Sequence, residues 1–165
     1  YHIFHKLSYL FLKLNQNFLV ESTKLGMAAT ILHELLHAYF LSIVDDNYET
    51  GSTELENFPN LWNYYVLSQG NGANYEQHVT IANLYVKKLA RALQEFHTGN
   101  PVLDSDEPLQ IYKDLAWGGL DETPAYNALS IEERNRIIAV CNAENKNEPQ
   151  AANGINYNTI SDPCY

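Results

Sequence analysis

The chain contains no apolar run approaching the roughly 18 residues that cross a bilayer, no CxxC pair and no basic stripe. Each absence removes a class of function. Without a spanning segment the chain is expected to be soluble. Its 10 basic residues against 20 acidic ones give a formal net charge of -10, a field that repels phosphate backbones and anionic membranes. No nucleic acid partner is expected. The only two cysteines, Cys141 and Cys164, match no zinc-binding pattern. They stand either as free thiols or as one disulfide tying down the C-terminal tail. The disulfide reading would place the chain in an oxidising, secreted setting. The sequence begins with Tyr1 rather than Met and no stretch of it resembles a signal peptide, so it reads as a processed product or excised domain of a longer polypeptide, secreted or displayed at a cell surface.

What is present is globular: 45% hydrophobic and 18% charged residues, enough for one core. No repeat or linker divides the sequence, so residues 1–165 read as a single domain, with 1–6 and 146–165 as periphery or tail. A partly alternating stretch over residues 8–14 reads as a strand. Ser22 or Thr23 then caps a long helix to about Val44, and Asp45-Asp46-Asn47 ends it. A short helix opened by Pro59 follows. Asn74 starts a second long helix, which Gly99-Asn100-Pro101 stops. A helix over Pro108–Trp117, a Thr123-Pro124 helix start and a Ser130/Glu133 capping box complete a mainly α (α+β) plan.

The first long helix carries "ATILHELLHAYF", with His33 and His37 four apart and Glu34 beside the first. Positions four apart lie one turn along a helix and about 40° round it, so both imidazoles can face one ion. Glu34 is about 100° round from His33, placed to reach a metal-bound water without competing as a ligand. HExxH on a helix is the zinc metallopeptidase pattern. The ion lowers the pKa of its water to about 7, and the carboxylate takes the proton as the water attacks a carbonyl. The bland reading is two satisfied core histidines on an amphipathic helix.

A catalytic zinc takes a third protein ligand and leaves one position open. Phe40 and Ile43 stand where the glycine and third histidine of the HExxHxxGxxH variant would be, which excludes that subclass. His78 is the candidate: it lies in the first turn of the second long helix, on the stripe Ala82, Tyr85, Leu89, Ala92 and Phe96. Glu76 is the alternative, although Val79 occupies the place where the glutamate-ligand pattern has Ala or Asp. His2, His5 and His97 read as surface residues.

With these residues in place, the chain resembles the zincin superfamily of metallopeptidases. A histidine as third ligand makes it similar to the SprT-like branch. "ATILHELLHAYF", "QHVTIANLYVKKLARALQEF" and "YKDLAWGGLDETPAYNALS" together look like a group of small bacterial metallopeptidase-like domains, over about Asn17 to Asn145. The resemblance implies a zincin-like fold, an HExxH helix packed on a second ligand-bearing helix beside a small N-terminal strand region. It implies zinc held by His33, His37 and His78, Glu34 as general base, and a protein or peptide substrate. Val79 departs from the acidic residue common after the third ligand in such domains.

Asp114, Asp121 and Glu122 are candidate partners for the far nitrogens of the ligand histidines. Tyr126 either donates to an oxyanion or sits in the core with Trp117. The aromatic stretch from Phe58 to Tyr65 either covers the cleft or packs over the helix pair. Two rival functions use the same residues: a non-catalytic, zinc-stabilised binding module of a larger surface protein, and a secreted toxin or effector protease.

Overall fold

A computed structural model describes residues 21–45, 62, 64–65, 75–118, 120–121 and 123–164. The side chains of residues 37, 41–45 and 75–81 also lie outside the described set, as does the strand read over residues 8–14.

The described chain is mainly helical, with one small antiparallel sheet. Helix α1 spans Lys24–Asp45. Thr23 caps it, its hydroxyl accepting from the Gly26 N–H at 3.1 Å, which satisfies one of the amides the first turn leaves orphaned. Helix α2, Tyr75–Thr98, stops at Gly99, whose φ of 68° is open to glycine at no steric cost. Helix α3 covers Gln110–Gly118 and α4 the single turn Pro124–Asn127. Thr123 caps α4 through the Tyr126 N–H, and Pro124 adds no amide that would need a partner. Helix α5, Ile131–Lys146, opens on the full Ser130/Glu133 capping box and closes on Asn147 in the left-handed conformation.

The residues after Asn145 do more than trail away. Strands β1, Gln150–Ala152, and β2, Ile155–Tyr157, pair in register Gln150↔Tyr157, Ala151↔Asn156 and Ala152↔Ile155. Asn153 and Gly154 make the two-residue turn, with φ of 51° and 75°, the pattern that Asn-Gly favours in hairpins. Beyond the hairpin the chain returns to α1. Thr23 bridges Pro163, Lys24 N–H donates to the Asp162 carbonyl at 2.9 Å, and Cys164 N–H donates to the Ser22 carbonyl at 3.2 Å. The two cysteines are separate thiols, so no disulfide holds this segment and the argument for an oxidising setting loses its support.

Helices α1 and α2 run antiparallel. Phe96 lines a groove with Met27, Ala28 and Ile31, Leu89 and Leu93 share a small void with Leu32 and Leu36, and Tyr85 meets Phe40 edge-on at 5.1 Å between ring centres. Rising numbers on α1 thus match falling numbers on α2. Helix α3 lies against both α2 and α5, and α1 crosses α5 where their ends meet. Leu25, Leu36, Phe40, Ala82, Leu93, Leu115, Ile137 and Val140 form the buried centre of this stack.

The α1–α5 crossing depends on a missing side chain. A Cβ on Gly26 would stand 2.7 Å from the Glu144 carbonyl oxygen. Glu144 itself is fully buried. Its carboxylate accepts from the Thr23 hydroxyl and from the Ile160 N–H at 2.7 Å. Burying a charge without such donors would be costly. One carboxylate therefore fastens the start of α1, the end of α5 and the C-terminal segment together.

Candidate metal centre

The HExxH residues lie in the middle of α1. His33 and Glu34 are half-buried, while the flanking Leu35 and Tyr39 are 55% and 49% exposed. The motif therefore sits at a boundary between core and surface, as a site open to substrate requires. His37 follows one helical turn after His33, and its side chain is outside the described residues.

His33 lines a cavity of about 110 Å³ between α1, α3 and α5. Ala29 and Thr30 line it from α1, Leu115 and Gly118 from α3, and Cys141 and Asn145 from α5. On the other side His33 borders the small void with Leu89 and Leu93 of α2 and Leu115 and Ala116 of α3. The described side chains of α2 and α3 that border His33 are thus apolar, and the polar groups come from α1 and α5.

Gly118 belongs to the "LAWGGL" stretch, and the structure gives it a place here. A Cβ on Gly118 would stand 2.4 Å from the Cys141 sulfur. The bare backbone lets α3 close on α5 beside the cavity.

Cysteine and histidine lining one cavity invite comparison with a nucleophilic pair, but the electrostatics oppose it. Burial pushes the Cys141 thiol up to about 12, and the negative charges of Asp114 and Asp121 add to the shift. A nucleophilic cysteine needs the opposite surroundings, which lower its pKa. The Cys141 thiol instead donates weakly to the Asp114 carbonyl at 3.6 Å.

Residue His78 lies in the first turn of α2, with its side chain outside the described set. It precedes Tyr85 by seven residues, about 10 Å along a helix of regular rise. Tyr85 packs on Phe40, which follows His33 by seven residues, another 10 Å or so in the opposite sense. The antiparallel register therefore does not bring the backbone of His78 level with His33. Glu76 lies still further along.

Two of the three candidate carboxylate partners, Asp114 and Asp121, are described. Asp114 is buried and accepts from Arg136 Nε at 2.8 Å, from Arg136 Nη2 at 3.1 Å and from Gln110 Nε2 at 2.8 Å. Periodicity could not reveal this, because Arg136 lies on another helix. Asp121 is exposed, and Glu122 lies outside the described residues. Tyr126 is buried, 6.3 Å from Trp117 between ring centres, and burial raises its pKa. It belongs to the core. His97, read from sequence as a surface residue, is half-buried, with Nδ1 2.8 Å from the Tyr112 hydroxyl.

Of the aromatic stretch from Phe58 to Tyr65, Trp62 and Tyr65 are buried against Phe40, with ring centres 5.3 and 4.2 Å away. The Tyr65 and Tyr85 hydroxyls lie 2.8 Å apart. These described residues pack over the α1–α2 pair, one turn beyond His37.

Among the described residues no three His, Cys, Asp or Glu side chains gather as a metal set; His33 is the one proposed ligand whose side chain that set includes. Two histidines one turn apart on α1 are zinc-type donors, but a catalytic zinc takes a third protein ligand, which the described side chains do not supply. No protein-family model, no curated protein and no solved structure matches the chain.

Proposed function

We propose that the chain is a zinc-dependent peptidase, with His33 and His37 as metal ligands and Glu34 as general base. The observation that carries this reading is the position of His33. It lines a cavity at the edge of the core, on the helix that also carries Glu34 and His37. Zinc, when bound, supplies Lewis-acid activation of a water and of the scissile carbonyl. The protein supplies the rest. The helix sets the two histidines one turn apart, so both could hold one zinc ion. Glu34 takes the proton from the attacking water and returns it to the leaving amine.

The third ligand is the open part of this proposal, and His78 is the candidate for it. It rests on the sequence pattern, and the α1–α2 register described above weighs against it. Zinc content decides the matter. The purified protein, loaded at neutral pH, should hold one zinc per chain. His33→Ala should lose it, Glu34→Gln should keep it while losing peptide hydrolysis, and His78→Ala reports on the third ligand separately. Absence of zinc from the wild-type protein would defeat the proposal. A full complement of zinc with no cleavage of a diverse peptide library would favour the binding-module reading.

A further inference from the structure

We infer that residues 160–164 form a hinged strap that caps the start of α1 and opens as a unit, independently of the helices beneath it. The strap is held by bonds between the two ends of the described chain. It needs no metal and stands apart from the zinc reading.

The first turn of α1 leaves four amides without a partner inside the helix, and two different bodies supply their acceptors. The Thr23 N–H donates to the Glu144 carbonyl at 2.8 Å, and the Gly26 N–H to the Thr23 hydroxyl at 3.1 Å. Those two acceptors belong to α5 and to the cap of α1 itself. The Lys24 N–H donates to the Asp162 carbonyl at 2.9 Å, and the Leu25 N–H to the Ser161 hydroxyl at 3.2 Å. Those two belong to the C-terminal segment. From the same segment the Ile160 N–H donates to the Glu144 carboxylate at 2.7 Å and the Cys164 N–H to the Ser22 carbonyl at 3.2 Å.

The strap covers buried groups without being buried. Ser22, Thr23 and Glu144, which it touches, are fully buried. No residue from 158 to 164 is, and Ile160 is 39% exposed. Hydrogen bonds therefore hold it, together with one exposed ion pair, Lys24 with Asp162 at 3.6 Å, a kind of pair that contributes little. Water replaces each bond once the strap lifts, so opening forfeits only their small net worth. The hairpin before it is fixed more firmly. Asn153 Nδ2 donates to the Glu132 carbonyl at 2.7 Å, and Tyr157 packs against the core. Asn158 and Thr159 join the two, which places the hinge there. Segments with few buried apolar contacts open at free energies below that of global unfolding. The C-terminal segment thus has a direct hold on the helix that carries His33, Glu34 and His37.

Hydrogen exchange of the whole, metal-free protein tests this, read residue by residue by NMR in the regime where rates report opening equilibria. The amides of Lys24, Leu25, Ile160 and Cys164 should share one opening and exchange at least about 10-fold faster than those of Val140 and Ala143 in α5. Those of Thr23 and Gly26, although neighbours in sequence, should stay as protected as α5. Ser161→Ala removes the acceptor of Leu25 alone. If the strap moves as a unit, it should also speed Lys24, Ile160 and Cys164 by about 2- to 12-fold and leave Thr23 and Gly26 unchanged.

Exchange of Thr23 and Gly26 together with Lys24 and Leu25 would mean fraying of α1 and overturn the inference. So would exchange of the four strap-linked amides at the rate of Val140, which marks global unfolding. Acceleration of Leu25 alone in Ser161→Ala would show that the segment does not move as one body. Should that variant fail to fold, the wild-type pattern over the six amides decides by itself. Failure of the wild type to bind zinc would defeat the peptidase proposal and leave this test untouched.

Discussion

Gly26 and Glu144 meet backbone to backbone: the position of a Cβ on Gly26 is 2.7 Å from the Glu144 carbonyl oxygen, closer than real Cβ atoms come. That approach sets the depth at which α1 crosses α5, and with it the cavity beside His33. Gly26→Ala should destabilise the fold by about 1–3 kcal/mol through overpacking, seen as a lower urea midpoint. At Gly118 the clash is with the Cys141 sulfur at 2.4 Å. Gly118→Ala should therefore cost less in a Cys141→Ala background than alone, and Gly26→Ala should not. A double-mutant cycle measures the difference.

Thr23 does two jobs with one hydroxyl. It accepts from the Gly26 N–H and donates to the buried Glu144 carboxylate. Thr23→Val keeps the shape and removes both bonds, leaving a buried charged acceptor one donor short. A loss of about 1–3 kcal/mol is expected. Thr23→Ser should retain most of the stability, and equal destabilisation by Val and Ser would show that packing, not hydrogen bonding, matters there.

Alkaline pH should weaken the fold through Cys141. In the unfolded chain a thiol ionises near pH 8.5, whereas burial holds the folded thiol protonated up to about 12. Between these values the unfolded chain binds fewer protons than the folded one, so stability falls as pH rises, by up to about 1.4 kcal/mol per unit. The contribution is fully present below pH 8.5. Denaturation of metal-free protein between about pH 8 and 10, below the range in which the buried tyrosines add to the effect, should show this slope, and Cys141→Ala should flatten it.

Glu34→Gln should lower kcat about 100- to 10,000-fold, the usual worth of a positioned general base, with zinc content unchanged. His33→Ala should abolish both activity and zinc. Equal loss of zinc in the two variants would mean that Glu34 supports the fold or the metal instead of the proton transfer.

How much of this was legible beforehand differs from residue to residue. The caps at Thr123 and Ser130 follow from sequence because each bond spans three residues of one chain segment. Helix α1 and its HELLH face follow from the 3.6-residue period. The hairpin at Gln150–Tyr157 carried its own signal in Asn153-Gly154, but its strands are too short and too mixed in polarity for alternation to mark them. Asp114 read as a candidate partner for a ligand histidine, and Arg136 claims it across 22 positions.

The sequence by itself determined the chemistry of the candidate site. Two imidazoles and a carboxylate at fixed helical spacing follow from local hydrogen bonding, which needs no partner helix. Tertiary packing decided what surrounds them. The register of α1 on α2 depends on how Phe40 interlocks with Tyr85, and Leu36 with Leu89, and no local pattern encodes it. The wall of Cys141 and Asn145 beside His33 depends on how closely Gly26 and Gly118 let α1 and α3 approach α5. Those distances are set by the volumes of side chains far apart in the chain, and only the folded packing brings them together.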